Sequence, residues 1–476
     1  MKRSINRSLF FALIVILTSF QLQAQSGKQP NFIIIFVDDL GYGDLSCFGH
    51  PTIRTPNLDQ MAAEGMRFTQ FYVGANVCTP SRAALLTGRL PVRNGMYGKQ
   101  QGVFFPNSAS GLPHSEITMA EALKKKNYQT ALVGKWHLGS TPEYLPLNHG
   151  FDYYFGIPYS GDMGKVGPTP KMKDRGMPPL PLYRNEKVIE EEPDQHLLTK
   201  RYTTEVLEFI RKNKNQPFFM YYANNFPHVP LYASKDFEGK SKRGLYGDVV
   251  EELDWSVGEI LKELKKQKLN KNTFVIFTSD NGPWLMKGLL DETSGSAGLL
   301  YEGKASTYEG GMRVPAIAWW PGTIKPNQIS EAVATTMDLY PTILHLAKAE
   351  VPKDRPIDGN DIIDLLTGKK DKVTDVVFYY DKGDLYAVRK GPWKAHFTTH
   401  HSYSPEPPQE HNPPLLYNIE ADPSEQYDIA KDHAAIVEDL KKVFEEHKRT
   451  VVKAPPEFDK VVDKKSTVGP VSQKSK

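Results

Sequence analysis

Cysteine is rare in this chain: its 476 residues include two, Cys47 and Cys78. So few cysteines exclude a small scaffold held together by disulfides and a zinc site built from several thiolates. The two thiols could pair with each other in an exported protein, where disulfides persist. We disfavour this bridge because it would consume Cys78, which stands at the start of a predicted helix.

Long apolar runs are also missing. The apolar run at residues 9–17 follows three cations, Lys2, Arg3 and Arg7, and is too short to span a bilayer. This order is typical of a secretory signal peptide, which we assign to residues 1–24. No cysteine follows it to carry a lipid, so we predict an exported, periplasmic or secreted protein with no stable membrane anchor.

An excess of one charge is absent as well. The full chain has a formal charge of +3; the predicted signal peptide holds three cations and no acids, which leaves 3 − 3 = 0 for the rest. We therefore expect no nucleic-acid partner. The length suits one large α/β core or two domains. We predict a main domain at 25–372, a small α+β domain at 373–452 and a flexible tail at 453–476.

The segment from residue 78 reads Cys-Thr-Pro-Ser-Arg-Ala-Ala-Leu-Leu-Thr-Gly-Arg. Pro80 suits a first helical turn and Gly88 suits a helix end. Cys78 then lies at the helix N-terminus, where free N–H groups favour an anion, and Arg82 projects from the same helical face. The pattern places a nucleophile beside a cation. The plainer alternative is a buried structural thiol.

Four apolar runs rich in β-branched and aromatic residues each end in polar side chains. Such runs are typical of strands buried on both faces of a sheet, and they alternate with predicted helices. Parallel strands of this kind bind ligands beyond their carboxyl ends. Lys135 and His137 are two apart and would point the same way in extended backbone. The polar residues at the four strand ends are Asp38, Asp39, Lys135, His137, His228, Asp280 and Asn281.

These patterns predict an α/β fold. Its main part is a large mixed, mostly parallel sheet sandwiched by helices. Beyond residue 373 the pattern changes to short alternating segments without long helices between them, which indicates a small antiparallel sheet followed by a helix at 433–449.

Convergence of Asp38, Asp39 and Asp280 would set three carboxylates close together. Each like-charge pair costs on the order of 4 kcal/mol at about 4 Å and an effective dielectric near 20, so a cation must neutralise them or some must be protonated. Oxygen ligands, with the amide of Asn281, select Ca²⁺ or Mg²⁺ over zinc. Three further cations would suit a bound tetrahedral oxyanion: Arg82, Lys135 and Lys304.

Several strings in fixed order resemble the type I, formylglycine-dependent sulfatases of the alkaline phosphatase superfamily, in the branch of arylsulfatase A and N-acetylgalactosamine-6-sulfatase. The resemblance covers residues 31 to about 428. Besides the Cys78 string it rests on Val-Asp-Asp-Leu-Gly-Tyr-Gly-Asp, Gly-Lys-Trp-His-Leu-Gly, Gly-Ile-Pro-Tyr-Ser, Pro-His-Val-Pro, Thr-Ser-Asp-Asn-Gly and Glu-Gly-Gly-Met-Arg-Val-Pro.

The resemblance implies that a sulfatase-maturating enzyme oxidises Cys78 to formylglycine, and that one hydroxyl of the hydrated aldehyde attacks sulfur. The substrate would be an aryl sulfate or a sulfated saccharide, most simply a terminal sulfated sugar of a glycan. One calcium ion would be held by Asp38, Asp39, Asp280, Asn281 and the modified Cys78. The remaining implied roles are hydrate stabilisation by Arg82 and Lys135, a base at His137, leaving-group protonation by His228 with Lys304, and a sulfate contact at Ser160.

Two other functions stay open from the residues. A phosphate mono- or diester hydrolase shares the fold, but such enzymes commonly use two zinc ions, and this chain offers cations where the second would lie. An exported glycan-binding protein without turnover would be expected to lack one of the site residues, and none is missing.

Substrate contacts are the least determined feature. The basic loop at 163–195 and two aromatic residues could form a rim that binds an anionic glycan. They could equally be solvated loop residues without a role in binding. One of three C-terminal histidines could also touch substrate. The residues concerned are Lys165, Lys171, Lys173, Arg175, Trp284, Tyr301, His396, His400 and His401.

Overall fold

The computed structural model describes residues 28–165, 167, 176–285 and 294–460. The predicted signal peptide lies outside these ranges, as do Lys171, Lys173 and Arg175. No helix among the described residues is both long and apolar enough to cross a bilayer.

One large mixed sheet forms the main part of the molecule. Its strands are β1 (Asn31–Val37), β2 (Met66–Tyr72), β3 (Gln129–Gly134), β4 (Tyr153–Gly156), β5 (Pro181–Arg184), β6 (Lys187–Glu191), β7 (Phe218–Ala223), β8 (Thr273–Ser279), β9 (Arg313–Trp319), β10 (Gln328–Ser330) and β11 (Ala334–Thr335). Their spatial order is β10-β2-β9-β8-β1-β7-β3-β4-β5-β6, with β11 paired to β2. The pairs of β1 with β7 and β8, and of β3 with β7 and β4, are parallel, whereas β9 runs antiparallel to both neighbours.

Helices cover both faces of this sheet, as predicted. In β1, Phe32, Ile34 and Phe36 pack into one hydrophobic cluster, while Ile33 and Ile35 pack into the other. This alternation explains the continuous apolar run, because a central strand needs apolar side chains on both faces. The α-helices are α1 (Pro56–Ala63), α2 (Cys78–Thr87), α3 (Pro91–Asn94), α4 (Met119–Lys124), α5 (Leu198–Lys212), α6 (Leu245–Lys266), α7 (Glu309–Met312), α8 (Leu339–Leu346), α9 (Ile363–Leu366) and α10 (Ala434–Thr450).

The C-terminal part forms a separate antiparallel sheet, as predicted. Its four strands follow one another in space in chain order, and α10 packs on one face through Leu440 and Phe444. These strands are β12 (Val376–Asp381), β13 (Asp384–Lys390), β14 (Trp393–Thr399) and β15 (Gln409–Asn418).

Two segments differ from the sequence predictions. The segment 163–195, predicted as a loop, contains β5 and β6, which extend the sheet at its edge. Residues 453–460, predicted as the start of a flexible tail, lie against the main domain. Phe458 is fully buried there, with its ring 4.6 Å from that of Phe104. Burial of an apolar side chain in the core is favourable even when the residues next to it in the sequence are polar.

Candidate active site at the carboxyl edge of the sheet

The four strands with polar ends are direct neighbours in the sheet, in the order β8, β1, β7, β3. Backbone hydrogen bonds continue just beyond their ends: Asp280 N donates to Val37 O (3.0 Å), and Lys135 N donates to Ala223 O (2.7 Å). The polar side chains at the ends of these four strands therefore lie together at the carboxyl edge of the sheet, as the sequence predicted.

Cys78 is the first residue of α2, which ends at Gly88 in a left-handed conformation (φ 67°). The side chain is buried, and neither Cys78 nor Cys47 forms a disulfide. Burial raises the pKa of the Cys78 thiol well above its usual range, although Lys135 and Lys304 act in the opposite direction. Since the thiolate is the nucleophilic form, an unmodified Cys78 would be a poor nucleophile.

Asp38, Asp39, Asp280 and Cys78 converge at this edge. Their potential ligand atoms all lie within 4.8 Å of one another, and all four residues are buried. Burial and the nearby charge of Asp38 raise the pKa of Asp280 to about 7. Burial also disfavours ionisation of Asp38, but Lys135 and His228 overcome it and hold the pKa of Asp38 well below its usual range.

Cationic side chains of the protein balance these carboxylates. Arg82 donates to Asp280 Oδ2 through Nη2 (2.8 Å) and Nε (3.0 Å), and its Nη1 donates to the carbonyl of Lys135. Lys135 Nζ lies 2.6 Å from Asp38 Oδ2, and Lys304 Nζ lies 2.8 Å from Asp39 Oδ1. These ion pairs offset part of the repulsion among the carboxylates. They leave the pKa of Asp280 raised to about 7, so a bound cation or a proton at Asp280 would relieve what remains.

The donor set nevertheless fits a hard cation. Asp38 Oδ1 and Asn281 Oδ1 are buried and make no hydrogen bond among the described residues. The amide nitrogen of Asn281 is occupied by Asp39 Oδ1 (2.7 Å) and Gly282 O (2.9 Å). Because buried oxygens are rarely left without a partner, two such oxygens beside the acidic cluster suit Ca²⁺ or Mg²⁺.

His137 is held in one tautomer. Its Nε2 lies 2.9 Å from the carbonyl of Phe104, which only accepts, so Nε2 carries the proton. Nδ1 is buried with no hydrogen-bond partner among the described residues. Burial, together with Lys135, lowers the pKa of His137 well below its usual range. The predicted extended backbone is wrong here, since Gly134 (φ 114°) and His137 (φ 59°) turn the chain, yet both side chains reach the site.

His228 and Ser160 also lie beside the cluster. His228 Nδ1 lies 2.5 Å from the carbonyl of Val229 and donates to it, which leaves Nε2 directed at Asp39 Oδ2 (3.6 Å). Ser160 Oγ accepts a hydrogen bond from Lys135 Nζ (3.1 Å) and lies 3.4 Å from His228 Nε2. These groups place a hydroxyl and an imidazole nitrogen beside the acidic cluster.

These residues open into a cavity of about 710 Å³. Cys78, His137, Ser160, His228 and Lys304 all line it, so the structure brings them to one accessible surface.

Of the residues proposed as substrate contacts, Trp284 and His400 line the cavity, and Lys304 Nζ lies 5.0 Å from the centre of the Trp284 ring. Tyr301, His396, His401 and Lys165 are not among the lining residues. His396 is instead fully buried against Glu425.

Sequence reasoning missed several cavity residues. Asp381, Lys382 and Tyr403 come from the C-terminal part, and Phe458 comes from the predicted tail. No local sequence pattern indicates these residues, because they reach the cavity only where the C-terminal part of the chain packs on the main domain.

Comparison with known proteins places this geometry in a family. The chain matches the model of the family described as "Sulfatase" over residues 30–349, and that of "C-terminal region of aryl-sulfatase" over residues 372–475. It is 43% identical to human arylsulfatase A over 84% of this chain and 83% of that protein. It is 39% identical to N-acetylgalactosamine-6-sulfatase of Canis lupus familiaris over 94% and 91% of the two chains. The chain belongs to the sulfatase family and is an enzyme that hydrolyses sulfate esters.

Solved structures agree with this assignment. The PsFucS1 sulfatase from Pseudoalteromonas sp. superposes with a TM-score of 0.81 at 27% identity, covering 96% of both chains. Ps i-CgsB, in complex with k-i-k-neocarrahexaose, superposes with a TM-score of 0.74 at 32% identity, covering 90% of this chain and 94% of the other. A phosphonate monoester hydrolase from Silicibacter pomeroyi, 18% identical with a TM-score of 0.62 over 89% and 96% of the two chains, shares the fold alone.

Proposed function

We propose that this sulfatase releases inorganic sulfate from a terminal sulfated sugar or from an aryl sulfate, using formylglycine made from Cys78 and one bound calcium ion. One observation carries the proposal: Cys78 Sγ lies within 4.8 Å of oxygens of Asp38, Asp39 and Asp280, at the wall of an open cavity. The name of the relative N-acetylgalactosamine-6-sulfatase and the saccharide complex of Ps i-CgsB support a sugar substrate.

Modification of Cys78 suits its environment. A buried thiol with a raised pKa is a weak nucleophile, so the side chain is better suited to conversion by a sulfatase-maturating enzyme than to direct attack. The metal would be held by Asp38, Asp39, Asp280, Asn281 and the modified residue. When present, the hydrated aldehyde supplies the attacking hydroxyl and calcium supplies positive charge for the sulfate oxygens.

The surrounding residues take separate roles. Lys135 is buried and fixed between Asp38 and Ser160, so it can bind a sulfate oxygen or the hydrate without reorganising. Arg82 holds Asp280 and the backbone of Lys135 in place, and contributes positive charge to the hydrate. Ser160 offers its hydroxyl to the sulfate.

Three side chains, His137, His228 and Lys304, transfer protons. His137 acts as the base, since Nδ1 carries a free lone pair and its low pKa keeps the ring neutral. His228 in its doubly protonated form, together with Lys304, protonates the leaving oxygen, because Nδ1–H is already donated to Val229 O and the transferred proton must come from Nε2. Burial lowers the pKa of Lys304, but Asp39 and other anions raise it well above its usual range, so its ammonium is charged at neutral pH.

We also propose that the protein is exported to the periplasm or secreted, on the signal-peptide pattern of residues 1–24. N-terminal sequencing of the protein released from cells would test it, with the mature N-terminus expected near Gln25.

The test combines a peptide mass spectrum with turnover. Protein produced together with a sulfatase-maturating enzyme should show, at Cys78, the mass decrease for conversion of a CH₂–SH side chain to an aldehyde. The same protein should release sulfate from an aryl sulfate, and Cys78→Ala should not. An intact thiol under these conditions would refute the formylglycine proposal. Modified protein that cleaves phosphate diesters and no sulfate ester would favour the phosphate hydrolase.

A further inference from the structure

The hairpin between β12 and β13 forms the wall of the cavity that comes from the small sheet. Its residues Asp381, Lys382 and Gly383 all line the cavity. Gly383 has φ 88°, and a Cβ there would lie 2.3 Å from the ring of Tyr97. Both the backbone conformation and the close approach require glycine. The tip of this hairpin is therefore packed closely on Tyr97 of the main domain.

Hydrogen bonds connect Asp381 to the segment before Cys78 and, through it, to the segment that carries Lys304. Its Oδ1 accepts a hydrogen bond from Asn76 Nδ2 (3.0 Å), and the carbonyl of Asn76 accepts one from Ala305 N (2.8 Å). Asn76 precedes Cys78 by two residues, and Ala305 follows Lys304. The Asp381 carboxylate is thus held by the segment that leads to Cys78, which is itself hydrogen-bonded to the residue after Lys304, and all three side chains line the same cavity.

This carboxylate has spare acceptor capacity. It is 8% exposed, and Asn76 provides the one side-chain hydrogen bond that it receives from the described residues. A carboxylate has about four lone-pair positions and can only accept, and a buried charge is costly unless donors surround it. Burial accordingly raises the pKa of Asp381. A ligand in the cavity that offers O–H or N–H groups would supply the missing donors.

The rest of the wall suits a sugar more than a polyanion. Among the described residues that line the cavity there is no arginine, and aromatic rings are frequent: Tyr97, Phe105, Trp284, Tyr380, Tyr403 and Phe458. Lys382 and His400 also line it and act on Asp381 with opposite charge, but burial outweighs them and keeps the pKa of Asp381 raised. A second sulfate or a carboxylate placed against Asp381 itself would meet a like charge, which disfavours binding there. Flat apolar faces with a few polar groups are the usual lining of a small-ligand pocket.

We propose that Asp381 is a specificity-determining residue that accepts hydrogen bonds from free hydroxyl or amide N–H groups of the sugar that carries the scissile sulfate. The preferred substrate is then a terminal sugar with one sulfate and unmodified neighbouring groups. This inference rests on the proposed function, because it concerns the part of the same cavity in which the leaving sugar would bind.

The test compares substrates within one variant. The replacement Asp381→Asn keeps an oxygen to accept from Asn76 but turns the second acceptor into a donor. Turnover is measured on galactose 6-sulfate, on N-acetylgalactosamine 6-sulfate and on 4-methylumbelliferyl sulfate, which lacks the sugar. We expect the ratio of saccharide to aryl kcat/KM to fall roughly 10- to 100-fold for the sugar that binds best, as for loss of a hydrogen bond to a charged group.

Asp384→Asn is the matched control. This carboxylate belongs to the same hairpin, is 79% exposed and does not line the cavity, so the ratio should stay unchanged. An equal fall for both substrates in Asp381→Asn, which leaves the ratio unchanged, would show that Asp381 only positions the Cys78 loop. Wild-type kinetics on both substrates would show that Asp381 does not contact the sugar. Either result overturns the proposal.

A binding measurement separates this inference from the proposed function. Saturation-transfer NMR on the full chain with Cys78→Ala, which lacks the thiol to be modified, detects unsulfated galactose or N-acetylgalactosamine without turnover. We expect a signal that the added Asp381→Asn change removes. If the sugar binds in this way but the protein with Cys78 intact hydrolyses no sulfate ester, the proposed function is refuted and the sugar site is supported. If the sugar does not bind but the protein hydrolyses an aryl sulfate, the sugar site alone is refuted.

Discussion

Lys304 and Asp39 are 265 positions apart in the chain and form a buried ion pair, with Nζ 2.8 Å from Oδ1 and 2.9 Å from Oδ2. Trp284 covers the ammonium group on one side. Burial alone would lower the pKa of Lys304, yet Asp39 and neighbouring anions raise it. The pair fixes a charged donor at the cavity wall, where the oxygen of a leaving alcohol would lie.

Replacement of Lys304 should affect poor leaving groups most. We expect Lys304→Met to lower kcat on a sugar sulfate by roughly 10²- to 10⁴-fold, the usual contribution of a positioned acid. The loss on 4-nitrophenyl sulfate should be much smaller, because that phenolate leaves without a proton. Steady-state kinetics on both substrates measure the difference. Equal losses would mean that Lys304 binds sulfate and does not assist departure of the alcohol.

Arg82 should be essential for stability as well as for the site. Its guanidinium is fully buried and donates twice to Asp280 Oδ2. Arg82→Leu leaves Asp280 without this partner, and breaking such a buried pair costs about 3–5 kcal/mol. Thermal or denaturant unfolding measures the loss. The exposed pair of Arg449 and Glu446 is the control: Arg449→Leu should change stability by less than about 1 kcal/mol, and similar effects of the two replacements would contradict the assignment.

Acid should destabilise the protein through Glu309. Burial disfavours its ionised form, but Lys394 and Arg389 lower the pKa of Glu309 from 4.5 to about 2. A carboxyl whose pKa is lower in the folded state contributes stability above the unfolded-state value, here about 4.5, and this contribution is lost as the pH falls towards 2. The shift corresponds to on the order of 3 kcal/mol.

Glu309→Gln tests this pH dependence. The free energy of unfolding of the wild type and of the variant should differ more at pH 6 than at pH 3. Glu446→Gln, on the exposed face of α10 with its side chain 61% exposed, is the control and should follow the wild-type curve. Parallel curves for the wild type and Glu309→Gln would contradict the lowered pKa of Glu309.

Calcium should raise thermal stability. A cation that binds only the folded state at 100 times its Kd stabilises by about 2.7 kcal/mol. The melting temperature in excess calcium should therefore exceed that in a chelator, and Asn281→Leu, which removes the unpaired Oδ1, should reduce the difference. Differential scanning calorimetry measures it without turnover. Identical melting temperatures of the wild type in calcium and in chelator would contradict a structural calcium site.

Phe458 should anchor the C-terminal segment to the site. Its ring packs on Phe104, whose carbonyl accepts the hydrogen bond from His137 Nε2. Phe458→Ala removes a fully buried ring, which costs about 3–5 kcal/mol, and should also lower kcat by loosening His137. Val452→Ala, at an apolar side chain that is 78% exposed nearby in the chain, should change neither quantity. Wild-type stability in Phe458→Ala would show that the segment is only loosely attached.

Much of the site was predictable from local sequence. The run before Asp38 is apolar from Phe32 to Val37 because β1 is buried on both faces, and the strand before Asp280 is likewise buried along its whole length. Such runs reveal central strands, and parallel strands with helical connections must align their carboxyl ends. The start of α2 at Cys78 followed in the same way from Pro80 and Gly88.

Other features had no local signal. The edge strands β5 and β6 are short and partly exposed, so their pattern resembles a loop. The backbone turn at His137 depends on hydrogen bonds of its neighbours to the adjacent segments at Ala223 and Ile157. Both outcomes depend on which segments become neighbours, and that information is spread over the whole chain.

The sequence by itself determined the class of fold, the edge of the sheet that carries the polar residues and the family to which the chain belongs, because periodicity and contiguous motifs are local properties. Only the tertiary structure decided which charge pairs with which, that Asp381 and Phe458 reach the cavity, and that His396 does not. These contacts join residues up to several hundred positions apart, and their energies depend on burial and distance, which no stretch of sequence contains on its own.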